Sequence, residues 1–155
     1  MKKPKVTDLL LFIVGAELVG AISALLSGGN FGEYYSSLNR PPLSPPSAVF
    51  PVVWAVLYAL MGTSAYLVYA SPRPKRNALT LYAAQLLVNF LYSPLFFGLR
   101  SPALGKTVSL LLVLLVAAMT ASFAKVRRSA ALLQIPYLLW TIYAAYLSVG
   151  IFALN

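Results

Sequence analysis

Apolar residues along this chain fall in long unbroken runs, not in the narrow stripes of a soluble amphipathic helix. Five runs stand out: Thr7–Leu26, Ala48–Ala70, Asn77–Phe97, Leu104–Ala124 and Ala130–Ala153. A helix rises ~1.5 Å per residue, so ~20 apolar residues cross a hydrocarbon core ~30 Å thick. Lipid offers no hydrogen bonds to the backbone, so each run is predicted to be helical. The expected fold is an all-α membrane protein, a single bundle of five transmembrane helices covering residues 1–155.

Composition agrees. Hydrophobic residues make up 60% of the chain, mean hydropathy is +0.80 and only 10% of residues are charged. The first run is too long for a signal peptide and lacks a clear small-residue cleavage site, so it reads as a retained first span. There is no cysteine and no histidine. Disulfides, Cys/His zinc sites and His- or Cys-ligated haem are therefore excluded, and no metal site or resident cofactor is expected. With three carboxylates in all, Asp8, Glu17 and Glu33, a hydrolase or a carboxylate relay is hard to build, and no catalytic residue is assigned.

The net charge of +9 is sorted by position. Lys2, Lys3, Lys5, Arg73, Lys75, Arg76, Lys125, Arg127 and Arg128 fall at one end of the spans; Arg40, Arg100 and Lys106 fall at the other. The positive-inside rule places the N-terminus in the cytoplasm and the C-terminus outside. The excess charge therefore reads as orientation and contact with the lipid bilayer, and nucleic acid is not an expected partner.

Spans 2 to 5 are joined by short connections, which make consecutive helices antiparallel neighbours. The first loop, residues 27–47, is the exception. Pro41, Pro42, Pro45 and Pro46 stiffen it, and Phe31, Tyr34 and Tyr35 give it apolar grip. It is expected to be an ordered lid over one end of the bundle. Pro51 sits in the first turn of span 2, where its missing N–H costs little; Pro94 and Pro136 are expected to kink or start helices.

Helical spacing gathers aromatic and amide side chains onto faces. Span 2 carries Phe50, Trp54 and Tyr58; span 3 carries Tyr82, Gln85, Asn89, Tyr92 and Phe96; span 5 carries Tyr137, Trp140, Ala144, Leu147, Ser148 and Ile151. Such faces either pack helix on helix or wall a flat, mostly apolar pocket with a few placed polar groups. Glu17 lies in mid-span, where a charge costs ~2.5 kcal/mol or more, and so should be neutral or paired, with Asn89 or a tyrosine as candidates. Ala16, Gly20 and Ala24 on the same helix form a small-residue row suited to close helix contact. The Leu67, Tyr69, Arg73 arrangement fits a cholesterol-type pattern that carries little weight by itself.

The run YYSSLNRPPLSPPSAVFPVVWAVLYALMG resembles the signature of the TspO/MBR family, the bacterial relatives of the mitochondrial translocator protein. It does so through Tyr35, Leu38, Pro42, Pro45, Pro46, Phe50, Val53, Trp54, Leu57 and Tyr58. Gln85, Asn89, Phe96 and Phe97 resemble a later family segment, and Pro136, Tyr137, Trp140, Ala144, Leu147, Leu154 and Asn155 its ending. The resemblance implies a five-helix homodimer in the bacterial cytoplasmic membrane, binding porphyrins such as protoporphyrin IX in a pocket closed by the first loop. With neither His nor Cys present, a metal-free porphyrin is the expected guest. The implied ligand-binding residues are Tyr35, Phe50, Trp54, Tyr58, Gln85, Asn89, Tyr92, Trp140, Ala144 and Leu147; separately, from its position alone, Arg40 at the outer rim is expected to meet a propionate. The expected role is a receptor in tetrapyrrole sensing or handling. The alternatives are a light-dependent porphyrin-degrading enzyme, with Trp54 and Trp140 as the photochemical residues, and a transporter. Tyr34, Leu43, Ala48 and Tyr92 stand where the family often has tryptophan, and Ser148 where it often has asparagine. The basic tail of animal members, with its sterol motif, does not follow Asn155, so sterol transport is not expected.

Overall fold

A computed structural model describes residues 3, 5–29 and 31–155; Lys2, counted above among the basic residues, and Asn30 of the first loop lie outside them. Six helices are present among the described residues: α1 (Val6–Leu26), α2 (Phe31–Ser37), α3 (Val49–Tyr69), α4 (Arg76–Ser93), α5 (Pro102–Val126) and α6 (Arg128–Leu154). A π-helical turn, Pro94–Gly98, extends α4. α1, α3, α4 with its turn, α5 and α6 are long and apolar enough to cross a membrane. The five expected spans are therefore found with their ends moved by only a few residues. The sixth helix, α2, was not expected: the GEYYSS part of the first loop folds into two turns.

The five long helices close a ring in the order α1, α3, α6, α5, α4, with the strongest contact between α5 and α6. Their polarity is the reverse of a soluble bundle. Leu10, Leu11, Val14, Leu18, Leu87, Leu114, Leu132 and Leu139 are exposed, on faces that meet lipid, while Ser23, Ser64, Gln85, Asn89, Gln134, Thr141 and Ser148 are buried. Lipid is as apolar as leucine, so association rests on close packing and on hydrogen bonds between helices.

Close packing is clearest between α1 and α3. A Cβ on Gly62 would stand 2.6 Å from the backbone of Phe12 and Ile13, and one on Gly20 would meet the Tyr58 ring. Ala16 is 1% exposed at the same seam. Of the small-residue row on α1, Ala16 and Gly20 thus serve helix contact, whereas Ala24 faces a cavity. Gly105 of α5 likewise makes room for the Phe96 ring.

The prolines act where chain geometry allows. Pro51 lies in the first turn of α3, and Pro136 lies inside α6. Pro94 opens the π turn, in which Leu99 N–H donates to Pro94 O at 2.9 Å and Ser101 N–H to Phe96 O at 3.1 Å. Pro102 begins α5 behind the Ser101 N-cap, whose hydroxyl accepts from Leu104 N–H.

The basic residues do sort by end. Arg73 Nη1 donates to Lys125 O, joining the α3–α4 connection to the end of α5, and Ser64 Oγ donates to Ala130 O near the start of α6. At the opposite end Asn39 meets Asn155, and Lys106 lies 3.6 Å from the Phe152 ring centre.

The α1–α3 seam yields a paired prediction. Gly62→Ala should lower the midpoint of thermal unfolding in detergent, at a cost of about 1–3 kcal/mol for overpacking. Gly15→Ala, with nothing within 4 Å of its added Cβ, should be neutral or gain up to about 1 kcal/mol of helix propensity. Equal behaviour of the two would contradict the seam.

Candidate functional site

A cavity of about 480 Å³ lies inside the ring, bounded by α1, α3, α4 and its π turn, and α6, with α2 across one end. No residue of α5 lines it. This volume falls within the ~300–1,000 Å³ common for small-molecule sites. Nine of the lining residues are aromatic: Phe31, Tyr35, Phe50, Trp54, Tyr58, Tyr92, Phe96, Phe97 and Trp140. Ala21, Ala24, Ala55 and Ala144 leave open the space between them.

The rings brace one another. Tyr35 and Phe50 meet edge to face at 5.3 Å, Phe50 and Trp140 at 5.9 Å, and Trp140 and Tyr143 at 5.3 Å. Trp54 lies 5.5 Å from Tyr58 and 6.2 Å from Tyr137. Edge-to-face contacts of this kind fix ring orientation as well as burying area. The π turn contributes because its wider winding brings the sequence neighbours Phe96 and Phe97 to the same wall.

Behind this wall lies a hydrogen-bond chain across three helices. Tyr58 of α3 donates to Asn89 Oδ1 of α4 at 2.5 Å; Asn89 Nδ2 donates to Tyr137 of α6 at 2.7 Å. Tyr137 in turn donates to Gln85 Oε1 at 2.6 Å, and Gln85 Nε2 reaches Met61 Sδ at 3.4 Å. A second link joins Tyr92 and Ser148 at 2.7 Å. Ser148 gives its only proton to Ala144 O, so Tyr92 is the donor. The amides and hydroxyls thus largely satisfy each other. Two of the lining residues, Trp140 and Glu17, carry a polar group outside any such pairing. Trp140 Nε1 is buried without a hydrogen-bond partner, and the Glu17 carboxyl forms no hydrogen bond among the described residues. The pairing of Glu17 with Asn89 anticipated above does not occur, because both ends of the Asn89 amide are taken by tyrosines.

The lid is held by its own set of contacts. Tyr143 and Tyr146 of α6 donate to Leu43 O and Pro42 O. Asn155 accepts from Asn39 N–H at 3.2 Å and donates to Asn39 O at 2.8 Å. Pro41 packs where a side chain at Gly150 would stand, and Tyr35 OH donates to Pro45 O at 2.7 Å. Leu43 adopts φ 69°, a left-handed turn in an exposed position. The guanidinium of the exposed Arg40 lies 4.7 Å from the centre of the buried Tyr35 ring and is not part of the cavity lining. Tyr34 is buried against Phe96 and Phe97; burial raises its hydroxyl pKa and the nearby Arg100 pulls it partly back.

Of the ten residues proposed from sequence, Tyr35, Phe50, Trp54, Tyr58, Asn89, Tyr92, Trp140, Ala144 and Leu147 come together on this cavity. Gln85 does not. It is fully buried one turn deeper, where it anchors Tyr137. Sequence reasoning missed the contribution of α1, since Ala16, Gly20 and Ala24 read as a packing row and Ala21 was assigned no task, whereas Gly20, Ala21 and Ala24 line the cavity. Phe31 was seen only as loop grip. Asn155 had no assigned task, and no periodicity would have revealed its bond to Asn39.

Two glutamines separate a satisfied buried amide from an unsatisfied one. Gln85→Leu leaves the Tyr137 hydroxyl without its acceptor and should cost about 1–3 kcal/mol. Gln134 is also 0% exposed, yet neither of its amide atoms has a partner, so Gln134→Leu should be neutral or stabilising. Thermal unfolding of both variants in one detergent checks the pair; a larger loss for Gln134→Leu would contradict the hydrogen-bond assignment.

Residues 11–154 match the model of the TspO/MBR family. The chain is 37% identical to the tryptophan-rich protein TspO of Chlorobaculum tepidum over 79% of each chain. It is 36% identical to protein CrtK of Rhodobacter capsulatus over 94% of this chain and 91% of that one. It is also 32% identical to the translocator protein of Bos taurus, over 88% of this chain and 83% of that one. A match that runs through all five spans, the lid and the cavity walls makes this chain an integral membrane protein of the TspO/MBR family.

Proposed function

We propose that the chain is a membrane receptor for a flat, largely apolar ligand of the tetrapyrrole class, bound between the rings of α3, α4 and α6 beneath α2. The observation that carries this reading is the cavity itself. Nine aromatic residues surround about 480 Å³ of space, and most of the polar groups behind them are already paired. Such a site rewards planar apolar area and offers few hydrogen bonds. Membership of the TspO/MBR family supports the same reading. The receptor is proposed to act as a homodimer in the cytoplasmic membrane.

Both tryptophans of the chain line the cavity, which makes their emission a direct reporter. Titration with protoporphyrin IX should quench it saturably. Ala144→Phe, which fills the space with a ring, should weaken binding by about tenfold or more, the effect of losing about 1.4 kcal/mol of contact. Quenching that never saturates, or an affinity unchanged in Ala144→Phe, would contradict the proposal.

The charge asymmetry supports an N-terminus in the cytoplasm. With no native cysteine, single replacements give a clean test. Ser36→Cys, on α2, should react with an impermeant thiol reagent in intact cells, and Ser129→Cys, at the basic end, only after permeabilisation. The opposite pattern would reverse the orientation.

A further inference from the structure

At the basic end of the bundle, away from the aromatic cavity, the α3–α4 connection, the start of α4 and the end of α5 border a second, open pocket of about 460 Å³. Its walls carry Arg73, Arg76 and Lys125; Ser122 adds a hydroxyl, and the buried Ala78 and Val126 form an apolar floor. No carboxylate lines it, and among the described residues none of the three cations is paired with one. Arg73 Nη1 donates to Lys125 O at 3.3 Å, which turns its side chain towards α5 and leaves the rest of its guanidinium fork unspent. The neighbouring Lys75 is committed elsewhere, donating to Tyr69 O and Ser71 O. No side chain caps α4 at Lys75, so the free first-turn amides add to the positive field already set by the cations.

We propose that this pocket binds the phosphate group of an anionic phospholipid. Three cations without a counter-charge around a cavity of this size fit a phosphate, to which arginine can present two parallel donors. A lipid, not a soluble phosphate, is the assigned source because of where the pocket lies. α3 ends at Tyr69, α4 begins at Arg76 and α5 ends at Val126, so the pocket stands at the level where spanning segments leave the hydrocarbon. Phosphate headgroups occupy that level. Basic pockets between spanning helices are suited to such headgroups. The site would tie the α3–α4 connection to α5 and does not depend on what fills the aromatic cavity.

The test compares two double variants that remove the same charge from the same end. Arg73→Gln with Lys125→Gln empties the pocket walls, and Arg127→Gln with Arg128→Gln changes charges outside it. Native mass spectrometry of the purified full chain would count retained phosphatidylglycerol against phosphatidylcholine. The wild-type chain should hold phosphatidylglycerol preferentially. The pocket variant should lose about thirtyfold of that preference, as expected for two charges near the surface, while the outer variant keeps it. Should the pocket double variant fold poorly, Arg76→Gln alone, an exposed position, should lose about fivefold. Equal losses in the two double variants would reduce the effect to diffuse surface charge and overturn the site. Inorganic phosphate in large excess forms the second arm. It should leave the lipid bound, and displacement of the lipid would reassign the pocket to a free phosphate.

Discussion

Inside a bilayer a polar side chain has no water to fall back on, so the chain Tyr58–Asn89–Tyr137–Gln85 must close upon itself. It joins α3, α4 and α6 through two tyrosine hydroxyls and two amides, and it does so directly behind the cavity wall. Two consequences follow. The three helices are held at a fixed spacing by directional bonds that lipid cannot replace. The cavity in front of the chain is left mostly with rings and small apolar side chains, because the Tyr58 and Tyr137 hydroxyls and the Asn89 amide are engaged with each other. The apolar character of the cavity is thus a by-product of how the helices are held together.

Space is maintained by a different device. Gly20 and Gly62 draw α1 against α3, and Gly105 lets the Phe96 ring sink towards α5. These contacts fix the perimeter of the ring, so alanines at 21, 24, 55 and 144 leave a void in the interior and do not let the helices collapse. The lid closes one end without filling it. Pro41 against Gly150, two tyrosine hydroxyls of α6 on the Pro42 and Leu43 carbonyls, and the Asn39–Asn155 pair hold it over α6. Phe31 and Tyr35 of α2 then complete the aromatic wall.

Hydrophobic run length was enough to locate the spanning helices, because lipid imposes one length and one backbone solution on each. The positions of Trp54, Tyr58, Asn89, Tyr92 and Trp140 on a shared cavity were readable from helical spacing combined with the family resemblance. Depth along the helix was not. Gln85 and Asn89 lie one turn apart on one face of α4, and only packing against Tyr137 and Met61 decides that Gln85 is spent inside. The short helix α2 was also hidden, since its seven residues contain glycine, two serines and two tyrosines, a composition that reads as loop until the aromatic side chains find Phe96, Phe97 and Phe50. The role of α1 was missed for a related reason. Small residues permit either contact or emptiness, and spacing alone does not choose between them.

The central claim, that a planar guest sits inside the ring between the two indoles, is tested most directly by an experimental structure of the full chain with protoporphyrin IX bound. The account predicts macrocycle density within van der Waals contact of both Trp54 and Trp140, under Phe31 and Tyr35, with the Tyr58–Asn89–Tyr137–Gln85 bonds intact. A macrocycle lodged on the lipid-facing surface, with the interior cavity closed by its own side chains, would contradict it.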